Sequence, residues 1–180
     1  MKLTRLSLLV TTVVIGLIVP LPSAHAGGGG ARGGQATFEG RTIDLSVDWQ
    51  GATACNIAPS GSVCFRTEAQ LDQFLSTATV DTTATVDSLA SSCSSTLRLY
   101  SGTSYTGSVL NLSTEFLFIN LSTYGFDNIT SSYKVGACDT WFYSGASGGG
   151  SLYPGSTSAF SSSTSMLFGW NDVISSVYIS

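Results

Sequence analysis

The chain has 180 residues, 43% of them hydrophobic and only 10% charged, and carries a formal net charge of −4. An acidic chain so poor in Lys and Arg will not follow nucleic acid or an anionic lipid surface by charge. Its single histidine, His25, leaves little material for imidazole-based catalysis.

Residues 1–26 read as a leader. Lys2 and Arg5 precede a largely apolar run from Leu6 to Val19, Pro20 and Pro22 break it, and Ala24-His25-Ala26 offers a small-residue cleavage site. That order is expected of a cleaved secretory signal, and a largely apolar run of 14 residues followed by a Gly-rich stretch makes a poor bilayer span. Cleavage removes His25 and leaves 154 residues with five basic and eleven acidic side chains, a net of −6. The expected product is secreted, bacterial in the style of its leader, and free of the membrane. Without imidazole, a reactive-cysteine context or a clustered carboxylate pair, no catalytic site is expected and the chain reads as a non-enzyme.

Residues 27–34 are Gly-rich and are expected to form a flexible tail. In residues 35–96, Ile43, Leu45, Val47 and Trp49 alternate with Asp44, Ser46 and Asp48, which predicts a strand with one aliphatic face. Alternation alone accounts for Asp44 and Asp48 as its solvated side. Four cysteines in an exported chain suggest two disulfides, with three possible connectivities. The short loop containing Pro59-Ser60-Gly61 favours Cys55–Cys64, which leaves Cys93–Cys138. From Thr67 to Leu75 the sequence carries a helix signature, with Thr67 as cap, Gln70 completing a capping box and Leu71, Phe74 and Leu75 on one face. Ser76 to Thr96 is polar and β-branched and reads as a linker or weak strand.

From residue 97 the strand signals recur at short intervals: Leu97–Tyr100, Ser108–Leu112, Leu117–Leu121, Ser132–Val135, Thr140–Tyr143, Ser151–Tyr153, Ser158–Phe160 and Ser176–Ile179. Eight short strands in two sets of four predict a small antiparallel sandwich. An internal repeat supports the division. Tyr124 to Ser132 reads YGFDNITSS and Phe168 to Ser176 reads FGWNDVISS, 44 residues apart throughout. Each half also opens on a matching signature, Tyr100-x4-Tyr105-x-Gly107 and Tyr143-x4-Gly148-x-Gly150, which describes a folded hairpin beneath an aromatic ring.

Together these motifs resemble the βγ-crystallin family of Greek-key domains over residues 97–180. The fold the resemblance implies is all-β: two four-stranded Greek-key motifs in a βγ-crystallin-like sandwich, preceded by a disulfide-bridged extension with a strand and a short helix. One departure is Gly148, where the family prefers an aromatic residue, and a looser second hairpin is expected from it. In microbial members the D/N-D/N-x-x-S/T-S stretch is a calcium-binding loop. Carried over by position, Asn128 and Asp172 would supply side-chain oxygens, Ile129 and Val173 backbone carbonyls, and Ser131 and Ser175 hydroxyls. Asp127 and Asn171 would brace the loops, Ser108 and Ser151 would add carbonyls, and each ion would draw on both halves.

The donor set suits calcium on chemical grounds as well, since Ca2+ takes six to eight hard oxygens. One carboxylate per loop favours modest affinity, of the kind matched to calcium-rich extracellular fluid. Ordinary Asx and Ser turns are the structural alternative. The functional alternative is a secreted protease inhibitor similar to the bacterial metalloproteinase inhibitors, with Asn56–Val63 or Ser144–Gly150 as its loop and an extracellular protease as partner. Asn111, Asn120 and Asn128 stand in N-x-S/T sequons, read as chance matches in a Ser/Thr-rich chain.

Overall fold

A computed structural model describes residues 33–78, 93 and 95–180 of the chain. The leader and most of the expected linker lie outside the described residues.

Among the described residues the extension contributes four strands and one helix: β1 Gln35–Phe38, β2 Arg41–Asp44, β3 Ala54–Ala58, β4 Gly61–Phe65 and α1 Glu68–Ala78. The second half follows with β5 Leu97–Gly102, β6 Thr106–Leu112, β7 Phe118–Asn120, β8 Ser132–Lys134, β9 Thr140–Tyr143, β10 Ser162–Ser163 and β11 Ser176–Ile179. Two sheets result, one in the order β10-β8-β5-β6-β3-β4-β1-β2 and one in the order β7-β11-β9. Leu152 adds a single bridge to Tyr143, where a fourth strand of the smaller sheet is expected.

The two halves exchange strands. β7 of the first half pairs with β11 of the second, and β10 of the second pairs with β8 of the first. Two interlocked Greek keys are the result, and neither half owns a complete sheet. Between the sheets Leu97, Leu99, Leu110, Tyr133, Phe142, Val177 and Ile179 form one core.

The extension continues the larger sheet. β3 runs parallel to β6, in register from Ala54 opposite Val109 to Ile57 opposite Leu112. This covers an edge that would otherwise present unpaired N–H and C=O groups. Ala36, Phe38, Ile43 and Leu45 join the same core as the Greek keys. Helix α1 lies on the outer face of the sheet, burying Leu71 against Ala54, Tyr100 and Val109. Its start follows the capping logic: the Gln70 N–H donates to Thr67 Oγ1 (3.3 Å), and the Arg66 N–H donates to the Gln70 side chain (3.0 Å). Arg98 fixes the helix to β5 through Glu68 (2.8 Å) and Asp72 (2.6 Å).

Both expected disulfides are present, Cys55–Cys64 and Cys93–Cys138. The first joins register partners of the β3–β4 hairpin, whose two-residue tip is Pro59-Ser60.

Four expectations need correction. The strand expected at Ser158–Phe160 forms at Ser162–Ser163 instead, because residues 159–160 turn and the Ser161 N–H donates to the Ser158 carbonyl (3.0 Å). The strand expected over Ile43–Trp49 ends at Asp44, and residues 45–47 turn. Ile43 and Leu45 point inward, but Val47 is 80% exposed. The alternation is real, yet the Asp44 carboxylate accepts from the Ser46 N–H (3.0 Å) and makes an Asx turn of what would be strand. Gly34, placed in the tail, belongs to the fold, since its carbonyl accepts from the Leu45 N–H (2.7 Å). The hairpin at Gly148 is not loose either. The Phe118 ring fills the space beside Gly148, edge-on to Tyr143 at 5.7 Å, and takes the place of the missing aromatic.

Candidate functional site

The folded hairpins form as their signatures imply. Ser104 and Tyr105 in the first, and Ser147 and Gly148 in the second, all have positive φ. In each hairpin one serine closes the mouth: the Ser108 N–H donates to Ser101 Oγ and the Ser151 N–H to Ser144 Oγ, both 2.8 Å. Gly150 is required by its left-handed φ of 73° and because a Cβ there would strike Ser144 Oγ.

The Ser-Ser pairs ending the two loops divide their work. The second serine of each serves the hairpin. Ser132 Oγ donates to the Gly102 carbonyl (2.6 Å) and accepts from the Tyr105 N–H (3.1 Å). Ser176 Oγ does the same with the Gly145 carbonyl (2.6 Å) and the Gly148 N–H (3.0 Å). Sequence reading missed this role, although full burial of both serines follows from their inward register.

The first serine of each pair reaches the opposite loop. Ser131 Oγ donates to Asp172 Oδ1 (3.1 Å), and Ser175 Oγ donates to Asn128 Oδ1 (3.2 Å). The backbones cross in the same sense: the Asn128 N–H donates to the Ile174 carbonyl (3.0 Å) and the Asp172 N–H to the Thr130 carbonyl (3.1 Å). Asn128 and Asp172 both adopt left-handed φ, 56° and 57°, which Asx residues tolerate best among non-glycines. The two serines are held from behind, as the Ser131 N–H donates to the Tyr100 carbonyl and the Ser175 N–H to the Tyr143 carbonyl, both 2.8 Å.

The neighbouring positions support this crossing. Asn128 Nδ2 donates to Asp127 (3.1 Å), and Asn171 Nδ2 donates to Asp172 Oδ2 (2.7 Å). Among the described residues, no hydrogen bond ends on the Ile129 or Val173 carbonyl. The Ser151 carbonyl accepts from the Ser144 N–H (3.0 Å). Burial pushes the Tyr124 phenol, at the start of the first loop, above its ordinary range.

The structure thus brings together two clusters of hard oxygens, one containing Asp172 and Ser131 and the other Asn128 and Ser175. Such a donor set fits a hard divalent cation and not a soft one. Among the described residues, the one group of three Cys, Asp or Glu side chains close enough to share an ion is Cys93, Glu115 and Cys138, whose sulfurs are joined in the disulfide. Of the three sequons, Asn111 is fully buried and donates to Asn56 Oδ1 (2.7 Å).

No family model matches the chain, and no curated protein matches it. Among solved structures it is similar to a βγ-crystallin from Ciona intestinalis at 24% identity, over 47% of this chain and 99% of that one, with a TM-score of 0.39. A βγ-crystallin domain from Flavobacterium johnsoniae aligns at 21% identity over 47% of this chain and 92% of that one, with a TM-score of 0.39. A structure concerned with the evolution of the eye-lens βγ-crystallin domain fold aligns at 20% identity over 47% and 84% of the two chains, with a TM-score of 0.42. The Greek-key description of residues 97–180 stands on the paired hairpins, exchanged strands and crossed loops of this chain.

Proposed function

We propose that this chain is a secreted calcium-binding protein with a βγ-crystallin-like domain, in which calcium stiffens two interlocked loops. The observation that carries the reading is the reciprocal crossing of Ser131 onto Asp172 and Ser175 onto Asn128. Each oxygen pair combines the halves, so an ion held there would tie them together and stabilise the fold by mass action. Ile129 and Val173 would add their carbonyls. Calcium would supply charge and a coordination demand of six to eight oxygens, with no chemistry on a substrate. Two disulfides agree with an oxidising compartment outside the cell.

The reading is of a binding protein and not an enzyme. Its loops offer hydroxyls, amides, carbonyls and one carboxylate each, with no imidazole beside them. For the inhibitor alternative the exposed part of the first loop is the short tip Pro59–Gly61 of the Cys55–Cys64 hairpin. Asn56 and Ile57 are buried in β3, and Ser144–Gly150 is folded back on itself by its own hydrogen bonds.

Calorimetric titration with calcium tests the proposal. Binding that weakens when Ser131 and Ser175 are both changed to Ala, with the fold retained, supports it. No heat of binding at millimolar calcium, or full binding by the double variant, overturns it.

A further inference from the structure

The two loops share a backbone path but are held by different parts of the molecule. In the second loop, Trp170 packs edge-on to Tyr153 at 5.3 Å, and the Leu167 N–H donates to the Tyr153 hydroxyl (3.2 Å). Both partners come from the same half. The hairpin offset of 43 residues places Leu110 where Tyr153 stands, so the first half lacks an equivalent ring for Phe126.

The N-terminal segment supplies that ring. Trp49 lies 5.8 Å from Phe126, and its indole N–H donates to the Tyr124 carbonyl (2.8 Å). Gly125, with φ of 63°, sits so near the Leu45 carbonyl that a Cβ would collide with it. Residues 45–49 therefore close over residues 124–126, which end two positions before Asn128. The other ligand positions have separate supports: Ser131 and Ser175 are anchored to the Tyr100 and Tyr143 carbonyls, and Asp172 follows Trp170.

We propose that the turn Leu45–Trp49 is a brace for the first loop, making the Asn128–Ser175 cluster dependent on the N-terminal segment while the Asp172–Ser131 cluster is not. Trp49 is a positioning residue in this scheme. The calcium part of the inference rests on the function proposed above, whereas the structural part does not.

Amide hydrogen exchange on the metal-free chain tests the brace. In Trp49→Ala, exchange at the Asn128 N–H, bonded to Ile174, accelerates about tenfold or more, and the Asp172 N–H, bonded to Thr130, stays within about twofold. Trp49→Phe keeps a ring but loses the indole donor, and gives a smaller acceleration confined to the same amide. It also serves if the Ala variant does not fold. Equal acceleration at both amides would make Trp49 a general stabiliser and overturn the proposal, as would no change at either. In a calcium titration of the same variants, one of two sites weakens about tenfold or more and the other is kept. If the unaltered chain binds no calcium, the functional reading fails and the exchange result still decides the brace.

Discussion

Ser131 Oγ donates to Asp172 Oδ1 across 3.1 Å, although 41 residues separate the two. The matching pair on the other side, Ser175 with Asn128, contains an amide where this one contains a carboxylate. The loops carry one carboxylate each but at opposite members of the Asx pair, Asp127 against Asn171 and Asp172 against Asn128, so the two crossings are unequal.

That inequality has a direct consequence for calcium. Asp172→Asn removes the only carboxylate among the crossed donors and is expected to weaken the tighter site about tenfold or more. Asn128→Asp places a carboxylate in the second cluster and is expected to tighten it. Titration calorimetry of the two variants reads both effects, and equal responses to either change would contradict the ligand assignment.

Thr130 is fully buried, and among the described residues its Oγ1 has no hydrogen-bond partner. The repeat aligns it with Ile174, which is equally buried and apolar. An unsatisfied buried hydroxyl costs about 1–3 kcal/mol. Thr130→Val keeps the shape and removes that cost, so urea unfolding is expected to show a gain of about 1 kcal/mol. A loss of stability would mean that the hydroxyl has a partner.

Tyr100 and Tyr133 make the fold sensitive to alkali. Burial raises both phenols well above their ordinary value of 10.0, helped at Tyr100 by its bond to Glu68 and at Tyr133 by Tyr153. A folded pKa above the unfolded one means that the neutral form is favoured in the fold. This contribution is fully present below about pH 10 and is lost as pH rises from there towards the folded values. Unfolding free energies measured from pH 8 to 11.5 should fall at the upper end, with a shallower fall in Tyr100→Phe. An unchanged slope in that variant would contradict the assignment.

The Cys93–Cys138 bridge spans a sequence separation of 45 and joins the approach to β5 to the segment between the halves. The chain-entropy argument gives such a closure about 4 kcal/mol. Replacing both cysteines by Ala is expected to lower the unfolding free energy by roughly that amount, read by chemical denaturation. A change below about 1 kcal/mol would show that the unfolded chain is already constrained there.

The parts of this architecture that the sequence made legible are those repeated within it. Two copies of the hairpin signature and two of the loop marked the halves, whereas the bonds of Ser131 to Asp172 and of Ser175 to Asn128 are seen only in the fold. Other features left no local trace. The parallel pairing of β3 with β6 joins residues more than 50 apart, and strand propensity says nothing about which edge a strand will find. Alternation carried the strand at Ile43 too far, because the Asx turn at Asp44 overrides it. The brace at Trp49 was hidden inside that same alternation, since an indole on a supposed core face gives no sign that its N–H will reach Tyr124. Phe118 beside Gly148 was invisible for a related reason: the missing ring is replaced from another strand.

The central claim is that the crossed loops hold calcium, and thermal unfolding in millimolar calcium against excess chelator tests it most directly. A site saturated at about 100 times its dissociation constant adds about 2.7 kcal/mol, which for a domain of this size raises the midpoint by several degrees. The account predicts that rise in the unaltered chain and its loss when Asp172, Ser131 and Ser175 are replaced together. Identical midpoints with calcium and with chelator would contradict it.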